Sequence, residues 1–145
     1  MEIKIRRLTK TAKIPTRGSA FAAGYAISAD IAQPLHVQPG QIVKIPTGIM
    51  MEIPHGYFGA GYARSGLAVR EGLRPANCTG IIDEDYRGEW MIILRNDSDE
   101  QRTIEPGERV AQLIIQKYYP VEFAETDALS ETERGAGGFG STGRK

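Results

Sequence analysis

The feature that most constrains this chain is the rhythm of its turn signals. Gln33-Pro34, Pro39-Gly40, Pro46-Thr47-Gly48, Pro54-His55-Gly56, Asn96-Asp97-Ser98-Asp99 and Pro106-Gly107 interrupt the sequence at short intervals. Between them lie runs rich in β-branched residues: Ile3 to Ile5, Gln41 to Ile45, Ile49 to Ile53, Trp90 to Leu94 and Val110 to Tyr118. Proline cannot donate to a sheet ladder, and glycine adopts backbone angles that other residues avoid, so each signal ends one strand and prepares the next. Strands recurring about every 8–12 residues predict an all-β sandwich or barrel. With 145 residues and no linker or internal repeat, one domain with its own core is expected.

Charge and cysteine usage then narrow the function. Lys plus Arg number 18, as do Asp plus Glu, so no global field recruits polymeric nucleic acid or a membrane surface. Cys78 is the sole cysteine, which excludes an internal disulfide and suits a reducing compartment; it reads as a small apolar filler. No run approaches the roughly 18 apolar residues of a membrane span, and the start Met1-Glu2-Ile3-Lys4-Ile5 lacks the apolar stretch of a signal peptide. A soluble cytoplasmic protein is expected, or one of host cytoplasm or nucleus if the source is viral.

Three segments carry candidate chemistry. In the first, Asn77 to Met91, the apolar Ile81 and Ile82 run into Asp83-Glu84-Asp85-Tyr86-Arg87-Gly88 and resume at Trp90. That pattern reads as strand, tight turn, strand. Such a hairpin sets backbone donors and acceptors where a planar base could pair, with an acid and a ring beside them. Equally, by itself, it is an ordinary surface hairpin with solvated acids. The second segment, Arg64 to Leu73, predicts a short helix with Ser65 as N-cap and Gly72 as its stop. Helix N–H groups beside the Arg64 guanidinium suit an anion, although a plain capped helix with a surface arginine fits as well. The third is the chain end. Apolar residues thin out after Tyr119-Pro120, and residues 134–145 are rich in glycine. Gly135 to Gly140 satisfies a GxGxxG spacing but has no following helix, so a dinucleotide fold does not follow. What it offers is an arm with backbone donors, hydroxyls, Arg134 and one isolated ring, Phe139.

Taken together these segments resemble the homotrimeric deoxyuridine triphosphatase (dUTPase) family. Five motifs occur in the family order: Ala23-Gly24-Tyr25-Ala26-Ile27-Ser28, Arg64-Ser65-Gly66-Leu67-Ala68, Gly80-Ile81-Ile82-Asp83-Glu84-Asp85-Tyr86-Arg87-Gly88, Gly107-Glu108-Arg109-Val110-Ala111-Gln112-Leu113, and Arg134 to Gly143. They span residues 23 to 143, nearly the whole chain. The resemblance implies a distorted jelly-roll-like β-barrel or sandwich, with a core over residues 1–120 and an arm over 121–145 that closes the site. It implies a homotrimer with shared sites that hydrolyses dUTP to dUMP and pyrophosphate with Mg²⁺, keeping uracil out of DNA and supplying dUMP.

Carried over by position, the backbone of Gly80, Ile81 and Ile82 and the Asn77 amide would read uracil, with Met91 lining the site. Tyr86 would pack under the deoxyribose and exclude a 2′-hydroxyl. Asp83 would hold the attacking water as general base. Arg64, Ser65, Gly66 and Gln112 would hold phosphates, joined by Arg134, Gly140, Ser141 and Thr142 of the arm while Phe139 stacks on the base. One position departs from the pattern. The family carries Asp where this chain has Ala26, and alanine cannot orient the waters of a metal, so Mg²⁺ would be held mainly by the substrate phosphates and by water. Losing such a group typically costs about 10- to 100-fold in affinity or activity. That leaves a weakly catalytic dUTP- or partner-binding homologue as an alternative. Deoxycytidine triphosphate deaminase, of the same fold, is disfavoured by the Asp-x-Asp-Tyr pattern of the third motif.

Elsewhere the plainer readings hold. His36 and His55 sit beside turns and outside every motif, and read as surface histidines. Trp90, Tyr118 and Tyr119 are expected on strands, packed in the core or at a subunit contact. Asp97, Asp99 and Glu100 read as a solvated acidic turn without the glycine of a calcium loop.

Overall fold

The computed structural model describes residues 1–138. Its strands are β1 (Lys4–Arg7), β2 (Thr16–Arg17), β3 (Tyr25–Ser28), β4 (Leu35–Val37), β5 (Ile42–Pro46), β6 (Ile49–Glu52), β7 (Tyr57–Tyr62), β8 (Leu73–Pro75), β9 (Gly80–Ile82), β10 (Met91–Asn96), β11 (Arg102–Ile104) and β12 (Arg109–Lys117). One helix, α1 (Ser65–Glu71), interrupts them. The turn signals of the sequence fall between or at the ends of these strands, where proline, glycine or an Asn/Asp/Ser turn ends the ladder.

All the pairings are antiparallel. The largest sheet has the order β2-β3-β12-β7-β9, and a second runs β5-β10-β8. Two-stranded ladders, β1-β6 and β11-β4, complete the wrap, and no described sheet closes into a barrel. Strand β10 shows why two sheets share one core. Ile92, Leu94 and Asn96 are buried while Met91, Ile93 and Arg95 alternate outward, the period of a strand with one covered face. Its apolar side joins Ile27, Val37, Val43, Ile45, Ile49, Ile104, Val110 and Leu113 in a single cluster. The buried polar group on the same face, Asn96, is satisfied: its amide donates to Val37 O and Glu100 O (2.9 and 2.7 Å) and its oxygen accepts from Ser98. That network holds the turn after β10 against the core, as burial of an amide requires.

Trp90 is 1% exposed and fills the centre of the cluster just before β10 begins. It fits because Gly59 of β7 has no side chain: a Cβ there would lie 2.5 Å from the Trp90 ring. The two tyrosines expected to pack likewise differ. β12 ends at Lys117, so Tyr118 and Tyr119 follow the strand, and Tyr119 is exposed beneath the Lys117 ammonium, 5.6 Å from its ring centroid. The acidic turn is also more than solvated. Asp97 accepts from Arg95 at 2.6 Å and from Arg74, and Glu100 pairs with Arg102 at 3.1 Å. Hydrogen bonds from Arg95 and Arg74 hold the Asp97 carboxyl below its usual range.

Helix α1 stops where Gly72 turns left-handed at φ 67°, as the sequence predicts. Its start differs by one residue. Arg64 is the extended N-cap, Ser65 is the first helical residue, and no side chain caps the helix. The Arg64 side chain instead reaches back to donate to Arg109 O at 2.9 Å, which fixes the chain direction into the helix without a hydroxyl cap. Beyond Tyr118 the described chain carries no strand or helix and is exposed over residues 119–136. Phe139, Gly140, Ser141 and Thr142 lie outside the described residues.

Candidate functional site

The stretch from Asn77 to Met91 is not a hairpin. β9 pairs with β7, Gly80 opposite Gly61 and Ile82 opposite Gly59. β10 pairs with β5 through Met91 to Arg95, and with β8 only through Leu94 to Asn96. The reason lies at Trp90. Its buried ring, its N–H to Ile49 O (2.9 Å) and the Thr47 hydroxyl on its carbonyl (2.6 Å) anchor the chain to the β5–β6 turn. The segment 83–90 therefore crosses from one sheet to the other, and β9 and β10 do not pair.

The result is a slot of about 30 Å³ between them, lined by Asn77, Gly80, Ile82, Met91 and Ile93 and floored by Trp90. β9 is the last strand of its sheet, and residues 91–93 of β10 have a ladder on the β5 side alone, apart from one bond from Ala76 N–H to Ile93 O. Two strand edges with spare backbone groups border the slot. Groups of that kind are what an extended segment or a planar amide-like ring can pair with.

Successive residues of a strand face opposite ways, and that divides the third motif. Gly80 and Ile82 line the slot, whereas Ile81 is 60% exposed and joins Phe58, Asp83, Glu84, Asp85 and Tyr118 around a separate depression of about 550 Å³. The turn itself is tightly held. Tyr86 N–H donates to Asp83 O (3.2 Å), Tyr86 Oη to Glu89 O (3.0 Å), and Arg87 to Glu84 O (2.5 Å).

Glu84 fastens this turn to the next one. His55 Nδ1 lies 2.7 Å from Glu84 Oε1, and Gly56 N–H donates to Oε2 at 2.6 Å. The His55 hydrogen bond, helped by Gly56 and Tyr118, outweighs burial and holds the Glu84 carboxyl below its ordinary range. Burial, and then Glu84 itself, raise the Tyr118 phenol. His55 is on the surface as expected, its side chain 93% exposed, and it also clamps the motif through Glu84. No sequence signal could show it, because 29 residues separate the partners. His36 is also on the surface, paired with Thr103 at 3.0 Å. Cys78, next to Asn77, is no apolar filler. It is exposed at φ 61°, because the turn that sends its N–H to Pro75 O points the side chain outward.

The first, second and fourth motifs meet elsewhere. Ala26 of β3, Gln112 of β12 and Tyr62 of β7 stand in one row across the large sheet. The Gln112 amide donates to Ala63 O at 2.8 Å and so holds the approach to Arg64. Ala26 and Arg64 line an open groove of about 820 Å³, with Arg7, Lys10, Lys13 and Arg109 along it and Glu108 as its acid. Burial, then the nearby Arg109, lower the Arg64 guanidinium from its usual value. A side chain at Gly66 would be crowded by Arg70, since a Cβ there lies 2.7 Å from the Arg70 guanidinium. Arg134, in the exposed tail, bonds Gly137 O at 2.8 Å and touches neither cavity. Groove and slot share no lining residue. The three cations Arg7, Lys10 and Lys13 fall outside every motif, and only a count of local charge along the first strand and the loop after it could have raised them.

Comparison with known proteins identifies the family. The dUTPase family profile matches residues 10–143. The chain is 45% identical over 144 residues to a deoxyuridine 5′-triphosphate nucleotidohydrolase of Desulfitobacterium hafniense, covering 99% of this chain and 95% of that one. It is 47% identical over 132 residues to the protein of the same name from Rhizobium leguminosarum, covering 90% and 85%. Among solved structures it is similar to the dUTPase of Staphylococcus bacteriophage 80alpha. A point mutant of that enzyme gives a TM-score of 0.87 at 29% identity, covering 97% and 98% of the two chains. The form with dUpNHpp gives 0.84 at 29% identity, with 98% of each covered. With the five motifs, the jelly-roll-like β architecture and near-full-length identity in agreement, the chain belongs to the dUTPase family.

Proposed function

We propose that this protein hydrolyses dUTP, adding water to yield dUMP and pyrophosphate. The observation that carries the reading is the pair of strand edges, β9 of the third motif and β10 beyond it, that border the slot; at about 30 Å³ the slot itself has room for a water, so the base is read along these edges. Uracil, a flat ring with alternating donors and acceptors, suits spare backbone groups of Gly80, Ile81 and Ile82 and the Asn77 amide, with Met91 against its face. Cytosine presents an amino donor at C4 and an acceptor at N3 where uracil presents the reverse, so backbone groups set for uracil discriminate by unpaired polar groups, a strong form of selection. Tyr86, tied to Glu89 O, is the ring proposed to lie under the deoxyribose.

Asp83 is the proposed general base, holding the water that attacks the phosphate chain. Its turn is pinned by Glu84, Arg87 and Tyr86, and a catalytic carboxylate needs that kind of fixed geometry. Arg64, Ser65, Gly66 and Gln112 are assigned to the phosphates. Residues 121–145 are assigned as an arm over the core of residues 1–120, adding Arg134, Gly140, Ser141 and Thr142 to the phosphates and Phe139 to the base. Because slot and groove share no residue within one chain, the reading includes a homotrimer whose sites are completed between subunits. An apolar face of Ile3, Ile5, Met51 and Ile114 supports such a contact.

A metal held by protein side chains does not fit here. Among the described residues no three His, Cys, Asp or Glu side chains group so as to hold one, and Ala26 sets a methyl where the family has a carboxylate. Mg²⁺ therefore belongs to the substrate in this reading, chelated by the phosphate oxygens. No helix among the described residues is long and apolar enough to cross a membrane.

The test is pyrophosphate release from dUTP, dCTP, UTP and dTTP, for this chain and for Ala26→Asp side by side. Release from dUTP alone, faster in Ala26→Asp by about 10- to 100-fold, is expected. Ammonia release from dCTP, or no pyrophosphate from dUTP in either protein, would overturn the reading.

A further inference from the structure

The groove around Ala26 is unusual in its charge. The chain as a whole is neutral, with 18 basic and 18 acidic residues, yet Arg7, Lys10, Lys13, Arg64 and Arg109 converge on this one cavity and Glu108 is its single acid. None of the five forms an ion pair with a carboxylate among the described residues. Where a metal-orienting carboxylate would weaken a field of this sign, the chain has a methyl group.

The lysines are held there by structure. Thr9 and Thr11 donate their hydroxyls to the two oxygens of Asp30 (2.5 and 2.6 Å), and Ala12 N–H donates to Thr9 Oγ1 (2.9 Å). Ala12 is 3% exposed, packed in the core. Lys10 lies between the two tied threonines, and Lys13 is fixed by a bond from its ammonium to Gly107 O at 2.9 Å. The Asp30 carboxylate that ties the threonines keeps its charge, so five cations in and around the groove stand against two acids, Glu108 and Asp30.

We infer that this groove binds a linear polyphosphate chain directly, by side-chain cations, and does not need a divalent metal riding on the phosphates to do so; Lys10 and Lys13 supply the charge neutralisation. The inference rests on the dUTPase reading and deepens it. Three consecutive phosphates carry closely spaced negative charge, and ammonium groups meet such a ligand without the fixed geometry that a metal demands. Each lysine near a phosphate oxygen in a hydrated groove contributes about fivefold in affinity.

The experiment is calorimetric titration of the full chain with the non-hydrolysable analogue α,β-imido-dUTP in excess EDTA and again in Mg²⁺, with dUMP as the second ligand. The analogue is expected to bind in EDTA within about threefold of its affinity in Mg²⁺, and Lys10→Gln to weaken it about fivefold in EDTA with dUMP affinity unchanged. Lys10→Gln with Lys13→Gln should weaken it about 25-fold. Because Lys13 also bonds Gly107, the single Lys10→Gln variant decides the matter if the double variant folds poorly. Ala26→Asp should bind the analogue less well in EDTA and become Mg²⁺-responsive. Collapse of analogue binding in EDTA, or unchanged affinity in Lys10→Gln, overturns the inference. Either result in a chain that binds dUMP and releases pyrophosphate from dUTP leaves the hydrolase reading standing. A chain that neither binds dUMP nor hydrolyses dUTP overturns that reading instead.

Discussion

The slot between β9 and β10 and the groove around Ala26 are built from opposite materials. The slot is narrow, floored by a buried tryptophan, and bordered by main chain whose positions are set by two sheets. The groove is wide, and its character comes from the charged ends of long side chains. Recognition through the backbone is insensitive to the identity of individual side chains but depends on the packing that holds the strands apart. Recognition through lysine and arginine tolerates backbone adjustment but responds to salt and to single substitutions. A change at Ala26 therefore leaves the slot between β9 and β10 untouched, because the two features stand on different structural supports.

That comparison can be broken at Asp83, which lines neither cavity. Asp83→Asn is expected to lower kcat by about 10²- to 10⁴-fold. Binding of α,β-imido-dUTP and of dUMP should stay within about twofold in the same variant, since a base acts on the water rather than on ground-state affinity. Unaltered turnover would remove Asp83 from the reaction.

The comparison sharpens at Trp90. Trp90→Ala removes the floor of the slot and the anchor of the segment 83–90, and should cost about 3–5 kcal/mol of stability in denaturant unfolding. In protein that remains folded, dUMP binding should fall sharply while binding of inorganic tripolyphosphate, which needs only the groove, persists. Equal loss of both would show that the two regions are a single unit.

The smallest effect concerns the Glu84 clamp. Its folded pKa lies below the ordinary carboxylate value, so its contribution to stability is present above that ordinary value and is lost as pH falls towards the folded one. Thermal melts followed downward from about pH 6 should therefore decline less steeply in Glu84→Gln than in the native chain below about pH 4.5. Parallel curves would remove the clamp from the acid response.

Much of the architecture was legible in sequence because it is local. Gly/Pro punctuation and β-branched runs set where strands begin and end, Gly72 stops the helix at its left-handed turn, and five ordered motifs identify the family. The same locality misled where the partner was distant. The Asn77–Met91 stretch has the pattern of a hairpin, yet whether two strands pair depends on what else competes for their edges, and β7 and β5 won. Ser65 looked like a cap, but the Arg64 guanidinium found a carbonyl 45 residues away.

What the sequence by itself determined is the set of elements, the motif chemistry and the absence of a carboxylate at Ala26, since each is carried by adjacent residues. Tertiary structure alone decided that β9 and β10 part to leave a slot, that His55 clamps Glu84, and that Lys10 and Lys13 gather with Arg64 around Ala26. These are contacts across long loops, fixed by which surfaces bury Trp90 and Ala12 in the shared core, and no spacing along the chain encodes them.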